Sequence, residues 1–279
     1  MLLFVDKLTN SDFSYLHPER GLLGETWLSH IELEGDLDEQ GMVCDFGIVK
    51  KAVRTMLDDL IDHRLLVPAQ SPLVTIDESE DYTSIEWQLP KRQVIQHRSP
   101  NQCITLLDTA EITPESVAAW CEQLLRLELP QLIDKISLRF TVENIDGPYY
   151  HYSHGLKKHE GKCQRIAHGH RSRIAIEKNG ARDRELETEW AQIFNDIYIG
   201  TRADLVSMSD DNKIGFQYQA PEGEFQLVLP KQSCYLIDSD STVENIALHI
   251  ADQLKSQSPN DHFRVKAFEG LHKGAVVTR

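Results

Sequence analysis

Two stretches of the chain repeat one another in the same order, and that repetition restricts the fold more than any other feature of its 279 residues. Cys103-Ile-Thr-Leu-Leu-Asp108 leads to Thr113-Pro-Glu-Ser-Val-Ala118, and Cys234-Tyr-Leu-Ile-Asp238 leads to Ser241-Thr-Val-Glu-Asn-Ile-Ala247. Each reads as a short apolar strand followed by a capped helix, with Thr113 before a first-turn proline in one and a Ser241 to Glu244 capping box in the other. Leu73-Val74 and Leu205-Val206 open the segments that precede them. A tandem duplication is therefore expected, with one domain at residues 1–146 and a second at 147–279, each long enough to bury a core of its own.

The hydrophobic pattern fills in both halves. Residues 2–8 and 26–33 read as strands; in the second, Trp27, Ser29, Ile31 and Leu33 share one face. Between Ile48 and Leu60 the apolar residues recur at helical steps. After residue 147 the expected elements are strands at 149–156 and 168–177, a helix at 185–197, a hairpin at 214–229 around Pro221-Glu222-Gly223, and a strand at 263–268.

Composition excludes several function classes. A formal net charge of −15 repels nucleic acid, and no basic, aromatic-interleaved stripe offsets it. No apolar run approaches the roughly 20 residues that span a bilayer, and the first residues lack the basic start of a signal peptide. Five scattered cysteines without CxxC spacing argue against a disulfide framework and fit a reducing, cytoplasmic setting.

The chemistry concentrates in Tyr150-His-Tyr-Ser-His154-Gly-Leu156 and Gly161-Lys-Cys163-Gln-Arg-Ile-Ala-His168-Gly-His170. Residues two apart on a strand face the same way, so His168 and His170 present their imidazoles together. A neighbouring strand carrying His154 can add a third. Three imidazoles around Zn²⁺ leave one position open for water or substrate, as catalytic rather than structural sites do. His151 and His159 also have spacings compatible with ligation. Lys162 and Arg165 flank Cys163, a setting that favours a thiolate.

These motifs resemble the 6-pyruvoyltetrahydropterin synthase / 6-carboxytetrahydropterin synthase superfamily, whose first hairpin carries an aromatic, small residues and His, then Cys and a His-Gly-His strand. The resemblance implies an α+β protein of two tandem tunnelling-fold (T-fold) domains, each an antiparallel sheet with two helices on one face. It implies zinc on His154, His168 and His170, and Glu269 as the glutamate that holds a pterin ring. In the first half, Gly41 to Lys50 resembles the entry to the family's first helix, Asp62-His63 its Asp-His pair, and Glu143 its glutamate. The first half's metal site is incomplete: Phe13-Ser-Tyr-Leu-His17 keeps a first ligand, but Leu23-Gly24-Glu25 stands where His-Gly-His belongs. In the second half, Ile199 and Gly200 stand in place of the Asp-His pair.

The halves thus keep complementary pieces of one site. By resemblance, Cys163 with Asp62 and His63 forms the proton-transfer triad, and the substrate is 7,8-dihydroneopterin triphosphate or a related pterin that loses triphosphate. Lys157, Lys158, Lys162 and Arg165 form a basic patch for it. The expected assembly is a homo-oligomer, because T-fold sheets join edge to edge. Two departures stand out: four residues separate Cys163 from His168, where the carboxy type has three and the pyruvoyl type five, and the segments 73–108 and 205–238 exceed the family's usual link. The alternative is a non-catalytic pterin-binding or scaffold protein of the same fold.

Overall fold

The computed structural model describes residues 1–129 and 133–279. Each half contains a curled sheet with two helices against one face. In the first half, strands Asn10–His17 and Gly21–Gly35 form an antiparallel hairpin, and Ile133–Thr141 pairs with the far edge of the second. In the second half the same places are taken by Tyr149–His154, His168–Lys178 and Phe263–Phe268, with Gly274–Thr278 added outside. The antiparallel core is extended by two parallel strands on each side: Leu65–Pro68 and Ile104–Leu107 in the first half, Ile197–Thr201 and Cys234–Ile237 in the second. A helix crosses between the hairpin and the first added strand, which makes the parallel direction natural.

Helix α1 (Phe46–Leu60) starts at Asp45, whose carboxylate accepts from the Gly47 N–H, and buries Val49, Val53, Met56 and Leu57. Helix α2 (Pro114–Glu128) has the reciprocal Thr113–Ser116 capping box. Helix α3 (Arg184–Ile193) is shorter than expected. It stops before a turn in which Asp196 is left-handed, with φ 59°, and a strand begins at Ile197. Helix α4 (Val243–Gln257) is capped by Thr242, whose side chain accepts from the Asn245 N–H, and not by a Ser241–Glu244 box; the Ser241 carbonyl is engaged by His154.

The long segments 73–108 and 205–238 build a third sheet shared by the halves. Its order is Leu205–Val206, Lys213–Ala220, Gly223–Pro230, Val94–Pro100, Tyr82–Gln88 and Val74–Glu78. The two insertions meet at its centre, where Leu227 pairs with His97. The inner face carries Ile85, Trp87, Ile95, Phe216, Phe225 and Leu227 onto Leu16, Leu22, Ile166 and Tyr198, a core drawn from both halves. Burial of this apolar face stabilises the joint between domains in a way neither half can achieve alone.

Candidate metal centre

Strand register relates the halves exactly residue by residue. Ser14 pairs with Gly24 as Ser153 pairs with Gly169. The two hairpins pack against each other at these small residues, with the Ser14 and Ser153 hydroxyls hydrogen-bonded at 2.7 Å. His154, His168 and His170 therefore correspond to Tyr15, Leu23 and Glu25. His17 is not the first-half counterpart of a ligand, as the motif suggested. It lies two residues further on, where its Nδ1 accepts from the Glu19 and Arg20 N–H groups at 3.1 Å each.

In the second half, His154, His168 and His170 are fully buried and bring ligand atoms within 4.8 Å of one another. The His154 Nδ1–H donates to the Ser241 carbonyl at 2.8 Å, and the His168 Nδ1–H donates to the Arg165 carbonyl at 2.8 Å. Both rings are thereby fixed with Nε2 free. The His154 and His170 Nε2 atoms lie 3.3 Å apart, and His168 Nε2 is buried without a partner among the described residues. Burial pushes the His154 pKa down to about 3 and that of His168 well below its ordinary value, so both are neutral, as metal ligation requires. Outer partners that orient imidazoles in this way are characteristic of metal sites, and the donor set fits a metal ion. His151 faces away, its Nδ1 donating to the Gly24 carbonyl at 2.8 Å; His159 accepts from the Gly161 N–H.

The first half closes around this cluster. Asp12, 2% exposed, lies 3.2 Å from His170 Nδ1, off the axis of a good hydrogen bond. Burial raises its pKa, but His170, Lys273 and the Thr26 hydroxyl outweigh that and hold it at about 2. The Asp12 backbone also pins the Asp-His pair: its N–H donates to Asp62 Oδ1 at 2.9 Å, and its carbonyl accepts from the His63 N–H at 2.7 Å. Asp62 Oδ2 then accepts from His63 Nδ1 at 2.6 Å. His63, Cys163 and His168 bring their ligand atoms within 4.8 Å of each other. Burial lowers the His63 pKa, but hydrogen bonds to Asp62 and Cys163 reverse this and raise it to about 10. The three residues assigned to proton transfer thus meet within one chain, across the two halves.

Glu269 also faces the cluster. Burial opposes its ionisation, but His170, His154 and Lys273 hold its pKa below the usual carboxylate value. Lys273 lies 3.3 Å from Glu269 and 3.5 Å from Asp12. The expected basic patch is differently placed: Lys157 pairs with Asp204, Lys158 with Asp240, Lys162 with the Asp58 carbonyl, and Arg165 with Glu222. Glu143 reaches the neighbourhood of Arg173 and His272, not the cluster. The motifs did not reveal Asp12, Ser241, Lys273 or the buried Tyr152 hydroxyl, which has no hydrogen-bond partner among the described residues and whose ring stands 5.1 Å from that of His154.

The counterpart of Asp62-His63 is Asn195-Asp196, not Ile199-Gly200: Leu65 pairs with Ser14 as Tyr198 pairs with Ser153, and His63 and Asp196 share a left-handed φ of 55° and 59°. In the first half's own site, Arg20 forks onto Asp196 at 2.8 and 2.6 Å. Burial raises the Glu25 pKa to about 7. An ion pair, a phenol, a hydrocarbon and a carboxyl have replaced the metal-binding set there.

The family model described as 6-pyruvoyl tetrahydropterin synthase matches the chain twice, over residues 8–144 and 148–279. A putative 6-carboxy-5,6,7,8-tetrahydropterin synthase from Pyrococcus horikoshii is 28% identical over 116 residues, or 42% of this chain. The match spans 65% of that protein's length, just under two thirds. Among solved structures, the 6-pyruvoyltetrahydropterin synthase of Plasmodium vivax aligns with a TM-score of 0.43 at 18% identity, covering 50% of this chain and 90% of that one. The Plasmodium falciparum enzyme gives the same score and coverage at 16% identity.

Proposed function

The chain belongs to the 6-pyruvoyl tetrahydropterin synthase family, as two tandem domains, and we propose that it is a zinc-dependent lyase acting on 7,8-dihydroneopterin triphosphate or a related pterin. The observation that carries this reading is the convergence of His154, His168 and His170 beside Cys163, His63 and Asp62. His154, His168 and His170 would hold the zinc, which when bound supplies a Lewis acid that acidifies hydroxyls on the pterin side chain. Cys163 takes and returns a proton at the side-chain carbons, with His63 as its partner and Asp62 holding the His63 ring. Glu269 accepts hydrogen bonds from adjacent pterin N–H groups, as a carboxylate can from two donors. Triphosphate leaves as the side chain rearranges.

Among the described residues the outer edges of Ile133–Thr141 and Gly274–Thr278 have no partner strand, which supports assembly into a homo-oligomer through those edges. A second reading, a pterin-binding scaffold without turnover, is favoured by one observation: Lys157, Lys158, Lys162 and Arg165 all have partners already. Elemental analysis of purified protein together with triphosphate release from dihydroneopterin triphosphate separates the two. One zinc per chain with release of triphosphate is the expected result; pterin bound unchanged supports the scaffold.

A further inference from the structure

The turn Pro221-Glu222-Gly223, at the tip of the second half's inserted hairpin, touches the loop that carries Cys163. Arg165, 4% exposed, forks onto Glu222, with Nε donating to Oε2 at 2.8 Å and Nη2 to Oε1 at 2.9 Å. Its Nη1 donates to the His63 carbonyl at 3.4 Å, while its own carbonyl accepts from His168 Nδ1. One residue is therefore tied both to the backbone of the thiol's partner and to the orientation of a metal ligand. The turn is itself held from both sides. The Glu222 N–H donates to Gln164 Oε1 at 2.7 Å, the Tyr218 hydroxyl donates to the Gln164 carbonyl at 2.7 Å, and Cys103 of the first half donates to Glu222 at 3.3 Å.

We propose that Glu222 is a positioning residue for the candidate centre, setting through Arg165 the spacing among Cys163, His63 and His168. The proposal rests on reading that cluster as one working centre, and it gives the inserted hairpin a role at the site. A bidentate carboxylate fixes the plane of a guanidinium as no single hydrogen bond does. Without it, a buried Arg165 loses two acceptors, and the loop carrying Cys163 is held to the hairpin only through Gln164.

The test uses the full chain and needs no turnover. Glu222→Gln keeps the shape and the backbone contacts of the turn but removes the charge; Arg165→Lys keeps a charge but not the fork. Zinc affinity of the metal-free chain is measured by chelator competition, and alkylation of Cys163 by iodoacetamide is followed by peptide mass spectrometry. Both variants are expected to bind zinc roughly 10-fold more weakly, the lower range for groups behind metal ligands, and to alkylate Cys163 several-fold more slowly. Zinc affinity and alkylation both unchanged, whatever happens to the melting temperature, overturn the proposal. If Glu222→Gln does not fold, Glu222→Asp, which shortens the carboxylate's reach, must show the same two losses. A chain that converts no pterin but shows both losses sinks the lyase reading and leaves Glu222 in place.

Discussion

Gly24 of the first half and Gly169 of the second pack backbone against backbone: a Cβ on Gly169 would come 2.7 Å from the Gly24 Cα and 2.3 Å from the Tyr152 carbonyl oxygen. These glycines hold equivalent register positions, so the close approach is a self-contact of the duplicated hairpin. It brings Asp12 to His170 and Asp62-His63 to Cys163. Backbone atoms, unlike a long side chain, have nowhere to retreat.

Gly169→Ala should therefore loosen the joint between halves. The expected loss is about 1–3 kcal/mol, the usual cost of overpacking, with weaker zinc binding because His168 and His170 flank the position. Gly24→Ala, whose Cβ would come 1.8 Å from the Tyr152 carbonyl oxygen, should lose at least as much. Denaturant unfolding of both variants checks this, and wild-type stability in either would refute the close contact.

Glu25 gives a pH signature that does not involve the metal ligands. Its folded pKa is about 7 against an ordinary 4.5, raised chiefly by burial. Between these values the folded state binds a proton that the unfolded state does not. This contribution to stability is full below pH 4.5 and is lost as pH rises through 7. Glu25→Gln should thus stabilise the protein at pH 8 relative to pH 4, by up to about 3 kcal/mol. Equal effects at the two pH values would contradict a protonated Glu25.

Asp12→Asn should weaken zinc binding by roughly 10- to 100-fold, since the carboxylate beside His170 acts through that ligand. The backbone contacts from Asp12 to Asp62 and His63 are retained in this variant, but the carboxylate's contacts with Thr26 and Lys273 are weakened, so the melting temperature of the metal-free protein should also fall at neutral pH. Chelator competition at fixed pH measures the affinity; a value within twofold of wild type would remove Asp12 from the centre.

Because His63 and Cys163 meet inside one chain, inactive His63→Ala and Cys163→Ala proteins should not rescue each other when mixed. Each substitution alone should lower turnover by roughly 10² or more, the usual range for acid–base groups. Recovered activity on mixing would mean that the working pair forms between chains.

Short-range order was readable from the sequence because its causes are local. The strand pleat alone puts His168 and His170 on one face, helical spacing marks α1, and Thr113 with Pro114 marks the start of α2. The duplication was visible as a repeated order of short motifs, and the incomplete Leu23-Gly24-Glu25 site only through the family resemblance. The tertiary structure decided which residues meet. Asp12 looks like any polar strand residue until the hairpins cross, and the counterparts of His154 and His63 follow strand register, which motif spacing misjudged at His17 and at Ile199-Gly200. The paired state of Arg165 and the joining of segments 73–108 and 205–238 into one sheet depend on partners more than 50 residues away. Such contacts are chosen by the burial of a shared apolar face and by the few alignments of two pleated surfaces that let backbones touch, and neither is written in the spacing of neighbouring residues.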